Sequence, residues 1–357
     1  MKTQKIANTV GSLALVLACG FQPLALLGQG SLTPPGAPAP TMKTLAQVEP
    51  RTPISALPFQ IASPGSYYLT TNLTGFPGQN GITISADNVT LDLMGFELVG
   101  VPGSRSGISA ILTITNVTIR NGTVRGWGTN GVDLTFANHG RVEEVFALRN
   151  GSYGIRAIGH FIMVNCSARE NGEVGLAPGN GSIVVDCTAN NNGSDGLMTG
   201  SDSVVKNCTA AYNGRHGIVA GGGSHVSACV ASWNATNGIY ALWGSVVSDC
   251  SLQFNTGNGI QVGGNCLVIR NNCRANGNGD GVGAGILAIS NGNRIEDNNV
   301  TQNDWGIRVD GAGNFIVKNS ALGNSTNYLI TGTQMIGPIV TATGIITTNN
   351  PWANFSY

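Results

Sequence analysis

Charge is what this chain has least of. Of 357 residues, 18 are Lys or Arg and 18 are Asp or Glu, so 10% are charged and the formal net charge is zero; an average soluble chain carries about 25%. That balance removes the electrostatic basis for binding nucleic acid or an anionic membrane surface. Aromatic residues are also few, at 6%. No window holds a sustained apolar period of 3.6 residues, which excludes helical bundles, coiled coils and helix-built repeats. No apolar run reaches the ~20 residues of a membrane-spanning helix. Glycine, in contrast, is plentiful at 52 residues, about twice its usual ~7%. With 41% apolar residues the chain can still build a core, which argues against disorder.

The first fifty residues read as an export signal and a spacer. Lys2 and Lys5 precede the short apolar run Val10 to Leu17, the pattern of a signal peptide over residues 1–30. Two processing sites are open. One is the lipoprotein-like box Val16-Leu17-Ala18-Cys19, which would leave Cys19 acylated; the other is cleavage among Gly28, Gln29 and Gly30. Residues 31–50 follow as a proline-rich linker. The expectation is an exported protein, secreted or held in the cell envelope and possessing no transmembrane span.

Three columns of residues share one period. The pair Gly-[Ile/Leu/Val] recurs from Gly81 to Gly306, five of its successive spacings between Gly154 and Gly259 being 21 residues. Asparagine recurs at 150, 171, 192, 213, 234, 255 and 276, and cysteine at 166, 187, 208, 229 and 250, then at 273. Such self-similarity is the mark of a solenoid. Each unit holds short β-branched runs, such as Val204-Val205, punctuated by turn pairs, such as Asn213-Gly214. Leucine-rich frames and the calcium-binding nonapeptide are both absent.

The frame Val-x-Asn-Cys-x-Ala-x-x-Asn-Gly-x-x-Gly-Ile resembles the right-handed parallel β-helix proteins of the pectin-lyase-like superfold, over roughly residues 78–335. The resemblance implies an all-β solenoid of about twelve coils, one per ~21 residues. Residues 51–77 are expected to cap its start and 336–357 its end, because both ends are sheet edges. The resemblance is silent on activity, since this fold hosts lyases, hydrolases, epimerases, tailspikes and inert adhesins.

One cysteine per coil cannot surround a metal, and in-register neighbours stand too far apart for a disulfide. The column reads as a buried structural thiol ladder that Asn298 and Ser320 continue. Cys266 falls outside it, in an insertion, and is the thiol to suspect of pairing or reactivity. The asparagine column reads as a turn device that bonds the backbone and stacks amide on amide. Asp133 and Arg156 share a column in consecutive coils, as an ion pair would.

Two groups carry the candidate chemistry. Tyr212, Trp233 and Phe254 recur at 21 residues; facing outward they would form a strip for sugar rings, and facing inward they would be packing. Glu173, Asp195, Arg215 and His216 fall just before successive Gly-Ile marks. A carboxylate beside an imidazole can do acid–base work and an arginine can neutralise a substrate carboxylate; the same residues can equally form a solvated salt-bridge stack. The Asn-Thr-Asp, Asp-Asp, Gly-His-Gly and Arg-Ile-Lys motifs of polygalacturonase-like hydrolases are absent. So are the calcium-binding acid cluster of pectate lyases and the Asp-Pro-His-Asp motif of alginate epimerases. The insertion at 276–285 carries only Asp280. No cofactor is expected, and calcium has no ligand cluster to support it. Two functions stand: a non-catalytic scaffold whose partner is a polysaccharide or cell-surface glycan, or a polysaccharide lyase or glycoside hydrolase working through Asp195, His216, Arg215 and Glu173. Oligomeric state is left open.

Overall fold

The computed structural model describes residues 48–279, 281–341 and 344–357. The expected signal peptide, Cys19, most of the linker and Asp280 lie outside the described residues. Among the described residues thirty-nine strands, most of three residues, form the regular structure. Each coil holds three, for example Leu197–Thr199, Val204–Lys206 and Thr209–Ala211. The first strands stack in parallel into a 13-stranded sheet running from Phe59–Ile61 to Thr326–Ile330. The second and third strands stack into a 26-stranded sheet, joined where Ile114–Arg125 and Ala137–Leu148 run on around a corner as twelve-residue strands. The period of 21 is one coil: Leu197 pairs with Ile218, Val205 with Val226 and Ala210 with Ala231.

The described residues form thirteen coils, in agreement with the expected dozen or so. Residues 51–77 stack on the first repeat, pairing Phe59 with Ile82, Tyr67 with Leu91 and Leu73 with Leu98. At the other end Asn354–Ser356 pairs with the strand Ser320–Leu322.

Three-residue strands of the 13-stranded sheet alternate in, out, in, as at Leu197–Thr199, and most of those in the 26-stranded sheet alternate out, in, out, as at Val204–Lys206. Leu197, Ile218, Ile239 and Ile260 line one wall, Val205, Val226, Val247 and Val268 the second, and Ala189, Ala210, Ala231 and Leu252 the third, all buried. Because the columns repeat like on like, each added coil buries apolar surface against its neighbours at about 25 cal/mol per Å².

Each corner combines a left-handed residue with a small inward polar one. In one coil these are Asp202 (φ 57°) then Ser203, Asn207 (φ 54°) then Cys208, and Tyr212 (φ 57°) then Asn213. The inward group accepts an amide from the preceding coil. Ser182 N–H donates to Ser203 Oγ at 3.2 Å, Cys166 N–H to Cys187 Sγ at 3.4 Å and Asn192 N–H to Asn213 Oδ1 at 3.1 Å. Asn213 Nδ2 in turn donates to Asn234 Oδ1 at 3.0 Å and to the Ala189 carbonyl at 2.9 Å. Three ladders of serine, cysteine and asparagine thus satisfy the amides that the bends take out of the sheets. The glycine mark follows from the third. A Cβ on Gly217 would lie 2.6 Å from Asn234 Nδ2 and 2.6 Å from the Gly238 carbonyl oxygen, so no side chain fits there.

The cysteine expectations need correction. All seven described cysteines are free and buried. The ladder continues from Cys250 through Asn271 and Asn298 to Asn319, so Ser320 is not in it. Cys273 lies in a core column instead, paired with Leu252 and Val300. Cys266 is no outlier. It takes the serine position of its coil, receives no solvent, and donates from Sγ to the Leu242 carbonyl at 3.2 Å, as Ser245 Oγ does to Gly221 at 3.1 Å.

Candidate functional site

One corner column borders the 13-stranded face and contains Asn130, Tyr153, Asp195, His216, Asn237 and Asn258. Its acceptors take the backbone amide of the next coil: Asn130 Oδ1 from Tyr153 at 3.1 Å, Asp195 Oδ1 from His216 at 3.0 Å, and Asn237 Oδ1 from Asn258 at 3.0 Å. His216 does the same through its ring, accepting at Nδ1 from the Asn237 amide at 3.3 Å. An N–H donor fixes that nitrogen as the unprotonated one, so the Thr236 hydroxyl, 2.8 Å away, donates to it as well. The proton of neutral His216 is on Nε2. Burial holds its pKa below the ordinary imidazole value, against the opposing charge of Asp195 and with help from Arg215.

The four acid–base candidates are only partly assembled. Asp195 is buried and lies 3.5 Å from Arg215 Nε, whose side chain is 56% exposed. Glu173 is exposed and belongs to the column of Ser194 and Arg215, two coils from the arginine. Asp195 meets the backbone amide of His216, not its imidazole. The three neighbouring groups hold a corner together, and no carboxylate–imidazole pair forms.

The aromatic column faces outward. Tyr212 and Trp233 are 57% and 49% exposed, and with Phe254 all three take left-handed corners, φ 56–58°. Their rings stack on one another along the solenoid: Tyr212 to Trp233 at 6.1 Å and 4°, Trp233 to Phe254 at 4.4 Å and 18°. Arg274 covers the far side of Phe254, its guanidinium carbon 5.9 Å from the ring centre. Trp233 is thus stacked on both sides, by Tyr212 and Phe254, and Phe254 lies between Trp233 and Arg274.

A groove on the 13-stranded face offers more. Its ladder is interrupted at Leu176–Gly179, where Leu176 pairs with Leu197 and Gly179 with Thr199, leaving Ala177 and Pro178 opposite Met198 alone. This is a bulge, and proline suits it because it has no amide to give the ladder. The groove beside it is about 440 Å³, lined by Thr135, Tyr153, Arg156, Ile158, Ala177 and Met198 among others. The Arg156 guanidinium lies over the Tyr153 ring, 4.8 Å from its centre. Asp133 and Arg156 are register partners, yet the expected ion pair does not form. Asp133 accepts instead from Asn130 Nδ2 at 2.7 Å and from the Thr135 hydroxyl at 2.8 Å. Among the described residues Arg156 has no carboxylate partner. The sequence signal for this site was Ala177-Pro178-Gly179, a proline within a strand frame.

Among the described residues no three or more of His, Cys, Asp and Glu converge as metal ligands, and no helix is long and apolar enough to cross a membrane.

Comparison with known proteins agrees with this architecture. The family described as "Right handed beta helix region" matches residues 106–247. Among solved structures, the A-module of the Azotobacter vinelandii mannuronan C-5 epimerase AlgE6 superposes with a TM-score of 0.63 at 17% identity, over 82% of this chain and 91% of that one. The A-module of AlgE4, also a mannuronan C-5 epimerase of Azotobacter vinelandii, gives 0.61 at 17% identity, over 77% and 91%. No curated protein matches the sequence. The chain has the right-handed parallel β-helix fold.

Proposed function

We propose that this protein is an exported, non-catalytic scaffold that binds polysaccharide along its 13-stranded face, with the groove at Tyr153 and Arg156 as the principal contact. The observation that carries the reading is an arginine without a carboxylate partner, laid on a tyrosine ring at the mouth of a groove opened by a bulge. An aromatic ring can hold a sugar face, and a free guanidinium can take a carboxylate or hydroxyls in a fork. Nearby similar structures act on mannuronan, which favours an acidic polysaccharide as the first ligand to try.

Binding without turnover is favoured by the state of the acid–base groups. Asp195 and His216 Nδ1 are occupied by backbone amides, and Glu173 stands apart from both. The Asp-Pro-His-Asp motif is missing as well.

The test sets the full chain against mannuronan, other acidic polysaccharides and neutral glucans. Binding is expected to persist in Trp233→Ala and to be lost in Arg156→Gln, with no change in product mass spectra after long incubation. Products with an unsaturated end or added water would establish a lyase or hydrolase instead. Loss of binding in Trp233→Ala with Arg156→Gln intact would move the site to the aromatic column.

A further inference from the structure

Away from the groove, two histidines occupy left-handed corner positions in consecutive coils. His139 (φ 55°) and His160 (φ 57°) follow Asn88 and Asn116 in one column, in the register that pairs Gly140 with both Val117 and Phe161. Their rings are parallel within 8°, with centres 4.7 Å apart. Both residues are exposed. Sheet bonds on either side hold their backbones: His160 N–H donates to the Asn180 carbonyl at 2.7 Å, and Gly140 N–H to the His160 carbonyl at 3.4 Å.

The next position in the column is Gly181. A Cβ there would stand 3.0 Å from Cδ2 and 3.2 Å from Nε2 of His160. Glycine thus leaves uncovered the one ring nitrogen that a side chain at 181 would block. On the other flank, Asn116 directs its Nδ2 away, donating to Asn88 Oδ1 at 2.8 Å. Among the described residues no carboxylate or arginine is bonded to either imidazole.

We propose that His139 and His160 form a two-imidazole chelate for a divalent late first-row metal ion, of the class of Zn(II), Ni(II) and Cu(II), with water completing the coordination. Imidazole nitrogen is the ligand these ions prefer. A metal–nitrogen bond of about 2.1 Å requires the two nitrogens to come within about 4 Å. Parallel rings at 4.7 Å hold their in-plane lone pairs in separate parallel planes, so chelation unstacks them: rotation about the Cα–Cβ and Cβ–Cγ bonds turns each ring plane toward a shared ion while both backbones stay in place. The rigid corner supplies the preorganisation that two flexible surface histidines lack.

The experiment is a calorimetric titration of the full chain with Ni(II) at pH 7.5, repeated with Zn(II). One ion per chain is expected. His139→Ala and His160→Ala should each weaken binding about tenfold or more, because a single imidazole then replaces a chelate. His225→Ala, a lone exposed histidine on another strand, should leave it unchanged. Absence of binding, or equal affinity in wild type and both corner variants, would overturn the proposal. Near-native far-UV spectra of the variants separate loss of the site from loss of the fold.

Discussion

Asp195 and His216 stand in adjacent coils, and the carboxylate reaches the histidine's backbone rather than its ring: Asp195 Oδ1 accepts the His216 amide at 3.0 Å while the imidazole turns its Nδ1 to Asn237 and Thr236. Two residues with the composition of an acid–base dyad therefore act as consecutive rungs of a corner ladder. The substitution of an imidazole nitrogen for an amide oxygen in that ladder is also what makes the corner sensitive to pH.

Protonating His216 removes the acceptor that Asn237 N–H and Thr236 use. Its pKa is lower folded than unfolded, so the unfolded chain binds more protons between the two values and stability falls as pH drops through that window. The stabilisation is complete above about 6.5. Wild type should lose urea resistance between pH 7.5 and pH 5 relative to His216→Gln, which keeps a pH-independent acceptor. Parallel curves for the two proteins would contradict the tautomer assigned.

Removing a rung of the asparagine ladder should be costly. Asn213→Ala strands the Asn192 amide and side chain and the Ala189 carbonyl, all buried. At roughly 1–3 kcal/mol per unsatisfied buried group, partly relieved by relaxation, a loss of about 3 kcal/mol is expected from denaturant midpoints.

The repeated glycine is a steric requirement. Gly217→Ala would place a Cβ 2.6 Å from a neighbouring backbone oxygen, and overpacking of this kind costs about 1–3 kcal/mol. Thermal unfolding of Gly217→Ala beside Gly214→Ala, whose Cβ would likewise meet a backbone oxygen at 2.3 Å, should lower the midpoint in both.

Cys266 should be no more reactive than the ladder thiols. Burial pushes its pKa up, as it does more strongly for Cys273, and a thiolate is the reactive form. A Cys19→Ser chain is expected to label with a thiol reagent only at its rate of opening, with Cys266 and Cys208 modified together in mass spectra. Rapid, selective labelling of Cys266 would show a local opening at that corner.

The fold was legible because a solenoid converts sequence distance into spatial neighbourhood. A 21-residue step is one coil, so glycine, asparagine and cysteine columns appear in the chain as they do in the structure. Where the step changes the columns cannot be followed by counting. Asn271 to Asn298 is 27 residues, yet the steps on either side are 21: Cys250 leads to Asn271 rather than to Cys273, Asn298 leads to Asn319 rather than to Ser320, and Cys266 follows the register of Ser245, so a change of residue type within a column, not the insertion, misplaced these three.

Composition and periodicity determined on their own that this protein is a parallel solenoid with small polar groups at its corners, because each corner demands the same residue type in every coil. Tertiary structure decided what the variable side chains do. A period says which residues are adjacent, and it is silent on which way a side chain turns once a left-handed corner has aimed it. Hence Tyr212, Trp233 and Phe254 stack on one another, Arg156 lies on Tyr153 instead of pairing with Asp133, and His139 meets His160 ring to ring. Each outcome rests on competition among neighbours for hydrogen bonds and contact area, which is settled in three dimensions only.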